Sequence, residues 1–315
     1  MVHDVAAGQA AAVGCPVLDP SAWRRADLEA DRSWVVELDA DQRSALLDGE
    51  LPDPGVLAGW RRQLQSGRGL LLVRGLPTDE LGGEGCRELF PRLGAQLGDP
   101  VSQNREGQLL TDILDIGNDP TDPEVRLYTT AAEQDFHTDG ADLIGLLCLR
   151  GARSGGLNRV VSSVTVAQEV ATARPDLAPL LEQDWHFFLH TQDDGTPLTF
   201  PMPIVRRTGD QVASFFVPWY IRRAQGLPGV PDLSPDQDAL LRLYEQTANR
   251  PDLYVDMDFR PGDMQWIRNA VVLHKRTAYT DWPEPDRRRH LLRLWLAARD
   301  FSDGDELLRE GIPAG

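Results

Sequence analysis

The chain has 315 residues, 41% apolar and 26% charged, an ordinary globular composition long enough to bury a substantial core in one large domain or two. Its net charge of −17, from 32 basic against 49 acidic residues spread along the sequence, repels phosphate backbones and anionic lipid, which excludes nucleic acid and membrane as expected partners. No apolar run is long enough to span a bilayer, and the N-terminus lacks the basic start and apolar core of a signal peptide, so a cytoplasmic location is expected.

In chain order, residues 1–33 are rich in Ala, Asp and Gly and read as an arm with little independent structure, followed by a single domain over 34–315. Asp39 and Asp41 are candidate caps for a helix over Gln42 to Leu47, which Pro52, Pro54 and Gly55 end. A second helix, Val56 to Gln65, leads through Ser66-Gly67-Arg68-Gly69 into the buried strand LLLVRG. Glu84 to Leu97 has a helical apolar face, Leu109 to Ile116 and Arg126 to Thr130 read as strands, and most of the remainder is strand. Those strands are Leu143 to Leu149, Arg159 to Ser163, Trp185 to Leu189, Val212 to Val217, Leu253 to Asp258, Met264 to Ile267 and Arg289 to Ala298. Helices over Val164 to Ala173 and Pro235 to Ala248 interrupt the run. Many short strands with Gly/Pro turns and few helices predict a mainly β protein with flanking helices, α+β overall, its sheet closed or doubled on itself.

Cys15, Cys86 and Cys148 are widely spaced, without a CxxC pair, so neither a disulfide framework nor a zinc ribbon is suggested. Lys275 is the single lysine, and its surroundings resemble neither a phosphate-cradling loop nor a Schiff-base site.

The chemistry concentrates in EQDFHTDGADLIGLLCL, where His137 and Asp139 stand at a His-x-Asp spacing. In an extended segment residues i and i+2 share a face, so an imidazole nitrogen and a carboxylate oxygen converge there on one cation. Far downstream His274 closes the apolar run Ala270 to Leu273 and supplies a third ligand. Two histidines and one carboxylate form the facial triad that holds non-haem Fe(II) and leaves positions open. Beyond them Arg289 and Arg293 lie four apart in an otherwise apolar strand; buried arginine needs a partner, and a dicarboxylate co-substrate offers one. His3, His186, His190 and His290 lack this context and read as core or surface residues.

From about Gly69 to Ala298, the order HTDG at 137–140, Ser154-Gly155-Gly156, His274 and Arg289-x-x-x-Arg293 resembles the taurine dioxygenase/TfdA branch of the Fe(II)/2-oxoglutarate-dependent oxygenases. The resemblance implies a double-stranded β-helix, the jelly roll of cupin-like proteins, and Fe(II) held by His137, Asp139 and His274. It also implies 2-oxoglutarate chelating the metal at its keto-acid end and meeting Arg289 at the other. Arg293 is similar to a second arginine that contacts either substrate or co-substrate. Relatives place a Ser or Thr hydroxyl two residues after the paired glycines, where this chain has Asn158; an amide donor to the co-substrate and a plain turn residue are both open readings.

The implied reaction consumes O2, releases succinate and CO2, and hydroxylates, desaturates or cyclises a small molecule. An amino acid or amino-acid-derived intermediate of secondary metabolism is the expected substrate, with Arg293 holding a carboxylate. Asn104, Gln134 and Trp219-Tyr220 fall in the substrate loops, and Arg222 and Arg223 are further, surface-placed candidates. A homo-oligomer is open. Two other readings use the same triad: a zinc hydrolase acting through metal-bound water, and a non-catalytic metal-binding jelly roll. The first leaves the arginine pair without a task. Halogenation is set aside because Asp139 fills the place where a small residue would admit halide.

Overall fold

Two β-sheets of different size carry the molecule, and the strand Leu70–Arg74 shows why the larger one lies in the middle. Leu70 and Leu72 pack into one apolar cluster while Leu71 and Val73 pack into another, so the period-2 alternation of a strand here separates two cores rather than core from solvent. The computed structural model describes residues 19–122, 125–191, 195–209 and 211–301.

The larger sheet has seven strands, in the order Val35–Glu37, Leu70–Arg74, Met264–Arg268, Leu143–Arg150, His290–Ala297 and Asp99–Pro100, with Leu110–Ile113 also paired to His290–Ala297. The outermost pair, Val35–Glu37 with Leu70–Arg74, is parallel, and the others are antiparallel. Along His290–Ala297, Leu292, Leu294 and Leu296 face a core shared with the helices Pro54–Gln65 and Thr78–Gly94, whereas Trp295 and Ala297 belong to the core on the opposite side. Arg293 alternates with those leucines and so points toward the second, four-stranded sheet.

That sheet runs Val255–Met257, Asn158–Ser162, Val272–Arg276, Gln134–His137, antiparallel throughout. A hydrogen bond from Asn158 to Gln265 on the larger sheet ties the facing surfaces together. Outside the smaller sheet, Ser163–Ala173 and Pro235–Ala248 pack on each other and on its strands. Both helices start where the chain dictates: Ser162 Oγ accepts from the Thr165 amide, and Ser234 forms a capping box with Gln237. No helix of the described residues is long and apolar enough to cross a membrane.

Most expected elements are present with shifted ends. Asp39 caps Ala40–Leu47, accepting from the Gln42 amide at 2.8 Å. The helix expected over Glu84 to Leu97 is Thr78–Gly94, kinked at Gly82. Arg126 to Thr130, expected as a strand, is instead a 3-10 turn, Leu127–Thr129, because the Thr129 and Thr130 amides bond back to the Arg126 and Leu127 carbonyls.

The N-terminal stretch departs further. Residues 1–18 lie outside the described residues, but 19–33, read as part of an arm, form the helix Arg25–Ala30 and bury Trp23 and Leu28 in the core under the smaller sheet. The Trp23 indole donates to the Arg68 carbonyl at 2.9 Å, and Thr165 Oγ1 and Ser162 Oγ donate to the carbonyls of Trp23 and Ser21. A fully buried Trp replaced by Ala typically costs about 3–5 kcal/mol. Trp23→Ala is therefore expected to lower the unfolding free energy by that amount in urea, and a loss below about 1 kcal/mol would show the segment to be dispensable to the core.

Candidate active site

Strand register brings the two histidines together. In the antiparallel pairing of Val272–Arg276 with Gln134–His137, His274 lies directly opposite His137. Cross-strand partners project from the same face. Their ring centroids are 4.2 Å apart.

Asp139 stands beyond the end of that strand, so convergence depends on the loop rather than on a continued extended segment. The loop is pinned at several points. Thr138 exchanges hydrogen bonds with the backbone of Phe216, its amide donating at 2.9 Å and its hydroxyl accepting at 2.9 Å. Asn269 accepts from the Asp139 amide at 2.9 Å and donates to the Asp139 and Ala141 carbonyls at 2.7 and 2.8 Å. Asp142 takes the Ala298 amide at 2.8 Å. Neither Asn269 nor Thr138 stood out in the sequence, since their partners are remote and the bonds go to backbone.

The result is a cluster in which one ligand atom from each of His137, Asp139 and His274 lies within 4.8 Å of the others. His137 Nε2 is 3.7 Å from Asp139 Oδ1, and His274 Nε2 is 3.6 Å from Asp139 Oδ2. His137 Nδ1 is 2.8 Å from the Asp135 carbonyl, which can only accept, so Nδ1 carries the proton and Nε2 presents its lone pair to the cluster. Burial, with His274 beside it, lowers the His137 pKa to about 3, which keeps the ring neutral. Burial pushes the Asp139 pKa up, but Arg293 and the two imidazoles outweigh it and hold the carboxyl well below the usual range. Two imidazoles beside an ionised carboxylate are the donor set a divalent cation needs.

Arg293 and Trp295 back the carboxylate. Arg293 Nη1 lies 3.2 Å and Trp295 Nε1 3.1 Å from Asp139 Oδ2, while Arg293 Nε donates to Gln103 Oε1 at 2.8 Å. Arg293, expected at a substrate or co-substrate carboxylate, thus has an internal partner. Gln103 is fixed in turn by donating to the Leu109 and Arg293 carbonyls at 2.9 and 2.8 Å.

Arg289 differs. It is buried, its Nη1 has no hydrogen-bond partner, and among the described residues it forms no ion pair. Burial lowers its pKa. Gly156 shapes its berth: φ there is +69°, and a Cβ would stand 3.1 Å from Arg289 Nε. Next to it lies Arg276, which the sequence reading passed over. It is also buried, with Nε and Nη1 unpartnered, and burial together with the charge of Arg289 lowers its pKa to about 10. Asn158 is buried too, but its amide donates to Gln265 Oε1, leaving Gln265 Nε2 without a partner.

Of the expected substrate-loop residues, Gln134 places its amide nitrogen 3.1 Å from His137 Nε2, and the Trp219 ring lies 4.9 Å from the His137 ring. Tyr220 accepts from Arg126, and Asn104 bonds Gln108. Arg222 pairs with Glu245, and Arg223 stacks over Phe188. His290 lies outside the cluster, bonded to Asp112 at 2.6 Å.

Residues 38–295 match the family model of the taurine catabolism dioxygenase TauD, TfdA family. The chain belongs to that family of Fe(II)/2-oxoglutarate-dependent dioxygenases. It is 28% identical to FR-33289 synthase of Streptomyces rubellomurinus over 89% of this chain and 90% of that protein. It is also 28% identical to a uridine-5'-phosphate dioxygenase of Streptomyces sp, over 53% of this chain and 62% of that protein. Among solved structures it resembles an asparagine oxygenase in complex with Fe(II), 3-hydroxyasparagine and succinate, with a TM-score of 0.64 and 18% identity over 84% of this chain and 94% of the other. The non-heme iron oxygenase OrfP in complex with Fe and alpha-ketoglutaric acid gives 0.62 and 18% over 84% and 93%.

The pairing of Arg293 with Asp139 is open to a direct test. Removing one partner of a buried pair typically costs about 3–5 kcal/mol, because the other charge stays buried. Arg293→Ala should destabilise the metal-free protein by about that much in urea, and loss of only a few tenths would show that the ion pair contributes little.

Proposed function

We propose that residues 19–301 form one catalytic domain, its two sheets the halves of a double-stranded β-helix, that oxidises an unactivated C–H position of a small molecule. Hydroxylation is the default outcome, with desaturation or cyclisation open to the same ligands. The observation that carries this reading is the pairing of a His-Asp-His cluster with two buried arginines that make no ion pair among the described residues. A zinc hydrolase would use the cluster and leave Arg276 and Arg289 buried without a counter-charge. Unsatisfied buried charge is too costly to be incidental.

In this reading His137, Asp139 and His274 hold Fe(II), and Arg289 receives the distal carboxylate of 2-oxoglutarate. With O2 as the oxidant, the bound iron and 2-oxoglutarate would supply the oxidising chemistry, one oxygen atom leaving in succinate alongside CO2 and the other serving to oxidise the C–H bond. The protein's own residues do the positioning. The Asp135 carbonyl fixes the His137 tautomer, Asn269 fixes the Asp139 loop, and Arg293 with Trp295 fixes the carboxylate plane. Trp219, close to His137, forms part of the wall against which substrate would lie.

An amino acid or amino-acid-derived intermediate remains the substrate class we favour. Support comes from the hydroxyasparagine and hydroxyarginine complexes of the structural relatives. Arg293 gives Nη1 to Asp139 and Nε to Gln103, so a substrate carboxylate held by Arg293 would have only the remaining Nη donors to meet. Arg126, bonded to Tyr220 at 2.8 Å, is an exposed alternative at the substrate loops.

Anaerobic titration with Fe(II) and 2-oxoglutarate should develop a weak visible charge-transfer band. His137→Ala, Asp139→Ala and His274→Ala should each abolish or severely weaken it, and an unchanged band in all three would end the metal assignment. Arg289→Ala should raise the apparent constant for 2-oxoglutarate about 10²- to 10³-fold while sparing metal binding. Unaltered 2-oxoglutarate affinity in that variant would place the distal carboxylate elsewhere. With a panel of amino acids, sulfonates and aryloxy acids, succinate release above the uncoupled background should appear for amino acids, and its confinement to another class would overturn that choice.

A further inference from the structure

Arg289 is not alone at its end of the site. Arg276 follows His274 by two residues on Val272–Arg276, and that strand's pairing with Asn158–Ser162 is regular through Arg276. The two side chains therefore share a face. A two-residue step along a strand is about 6.6 Å, comparable with the length of a five-carbon dicarboxylate. Tyr279 follows three residues later, and its ring centroid lies 5.1 Å from the guanidinium carbon of Arg276 and 5.1 Å from that of Arg289.

The three side chains have buried donors without acceptors. Nε and Nη1 of Arg276, Nη1 of Arg289 and the Tyr279 hydroxyl all lack hydrogen-bond partners. Arg276 Nη2 is anchored by the Leu127 and Ala132 carbonyls, which fixes the guanidinium without neutralising it. Asp281, the nearby acid, spends Oδ1 on the backbone amides of Trp282 and Arg289, and among the described residues it makes no ion pair with either arginine. Two adjacent buried cations repel one another, and although Asp281 Oδ2 is buried nearby without a hydrogen-bond partner, neither arginine makes an ion pair among the described residues, so an anion entering between them would relieve both.

We infer that Arg276 and Tyr279 complete, with Arg289, a pocket for the distal carboxylate of the co-substrate, so that this end is gripped from two segments of the chain rather than by one guanidinium. The inference rests on the co-substrate reading above. Gly155 and Gly156 are part of the same construction. Both have positive φ, and a Cβ on Gly156 would press 3.3 Å from Tyr279 Cβ as well as on Arg289.

The test compares two keto acids on the Mn(II)-loaded full chain by calorimetry: 2-oxoglutarate, and 2-oxopentanoate, which keeps the keto-acid end and the five carbons but lacks the distal carboxylate. The wild type should prefer 2-oxoglutarate. Arg276→Gln should reduce that preference about 10- to 100-fold, and Tyr279→Phe about 2- to 10-fold, with 2-oxopentanoate binding unchanged in both. If circular dichroism shows Arg276→Gln unfolded, Arg276→Lys carries the same comparison and should also lose preference, since one ammonium cannot reproduce the planar donor set. An unchanged preference in the folded Arg276 variant and in Tyr279→Phe overturns the pocket. Equal weakening of both ligands assigns Arg276 to the scaffold and overturns it too. Failure of the wild type to bind either keto acid would instead remove the co-substrate reading on which the pocket depends.

Discussion

The arrangement depends first on one register: His274 opposite His137 across two antiparallel strands. A slip of one residue on either strand would turn one imidazole to the opposite face of the sheet and leave no pair for a metal. What prevents the slip is burial on both faces. Val160, Val161 and Leu273 are all fully buried, and the helices Ser163–Ala173 and Pro235–Ala248 close the outer side. The packing that stabilises the smaller sheet is thus the same packing that sets the distance between the histidines.

The second constraint is charge. The interior between the sheets contains three buried guanidiniums, Arg276, Arg289 and Arg293, and the largely buried carboxylate of Asp139. Arg293 takes Asp139, and His137 stays neutral. The two remaining cations lie together at the other end of the cluster. A metal at one end and an anion at the other would answer separate electrostatic demands, and a keto dicarboxylic acid is the simplest single molecule able to meet both.

Much of this was legible because it is local or ordered along the chain. His137-x-Asp139, His274 and the Arg289/Arg293 spacing stand in one-dimensional order, and period-2 runs such as LLLVRG locate strands without knowledge of their neighbours. What was hidden depends on pairing across the sheets. Arg276 sits in the run His274-Lys275-Arg276, where no spacing rule singles it out, yet the strand is buried throughout, Lys275 meeting Glu133, Asp135 and Asn249. Arg293's partnership with Asp139 spans 154 positions, and no spacing rule reaches that far. Composition misled at the N-terminus because a single Trp23 and Leu28 outweigh a polar background once they find a cavity.

Asp139 shows how tightly these choices are coupled. Asp139 Oδ2 already accepts from Arg293 and Trp295, so the plane of the group is set from behind before any metal arrives, and Oδ1 faces His137. A carboxylate held this way would need little reorganisation to take a metal. The same bonds make the position intolerant of a small residue. Shortening Asp139 would leave Arg293 Nη1 and the Trp295 indole N–H without their acceptor, so a small residue there would require Arg293 and Trp295 to change as well. The interior around Asp139 is built for a carboxylate, and that ties the chain to oxygenation more firmly than the three ligands do alone.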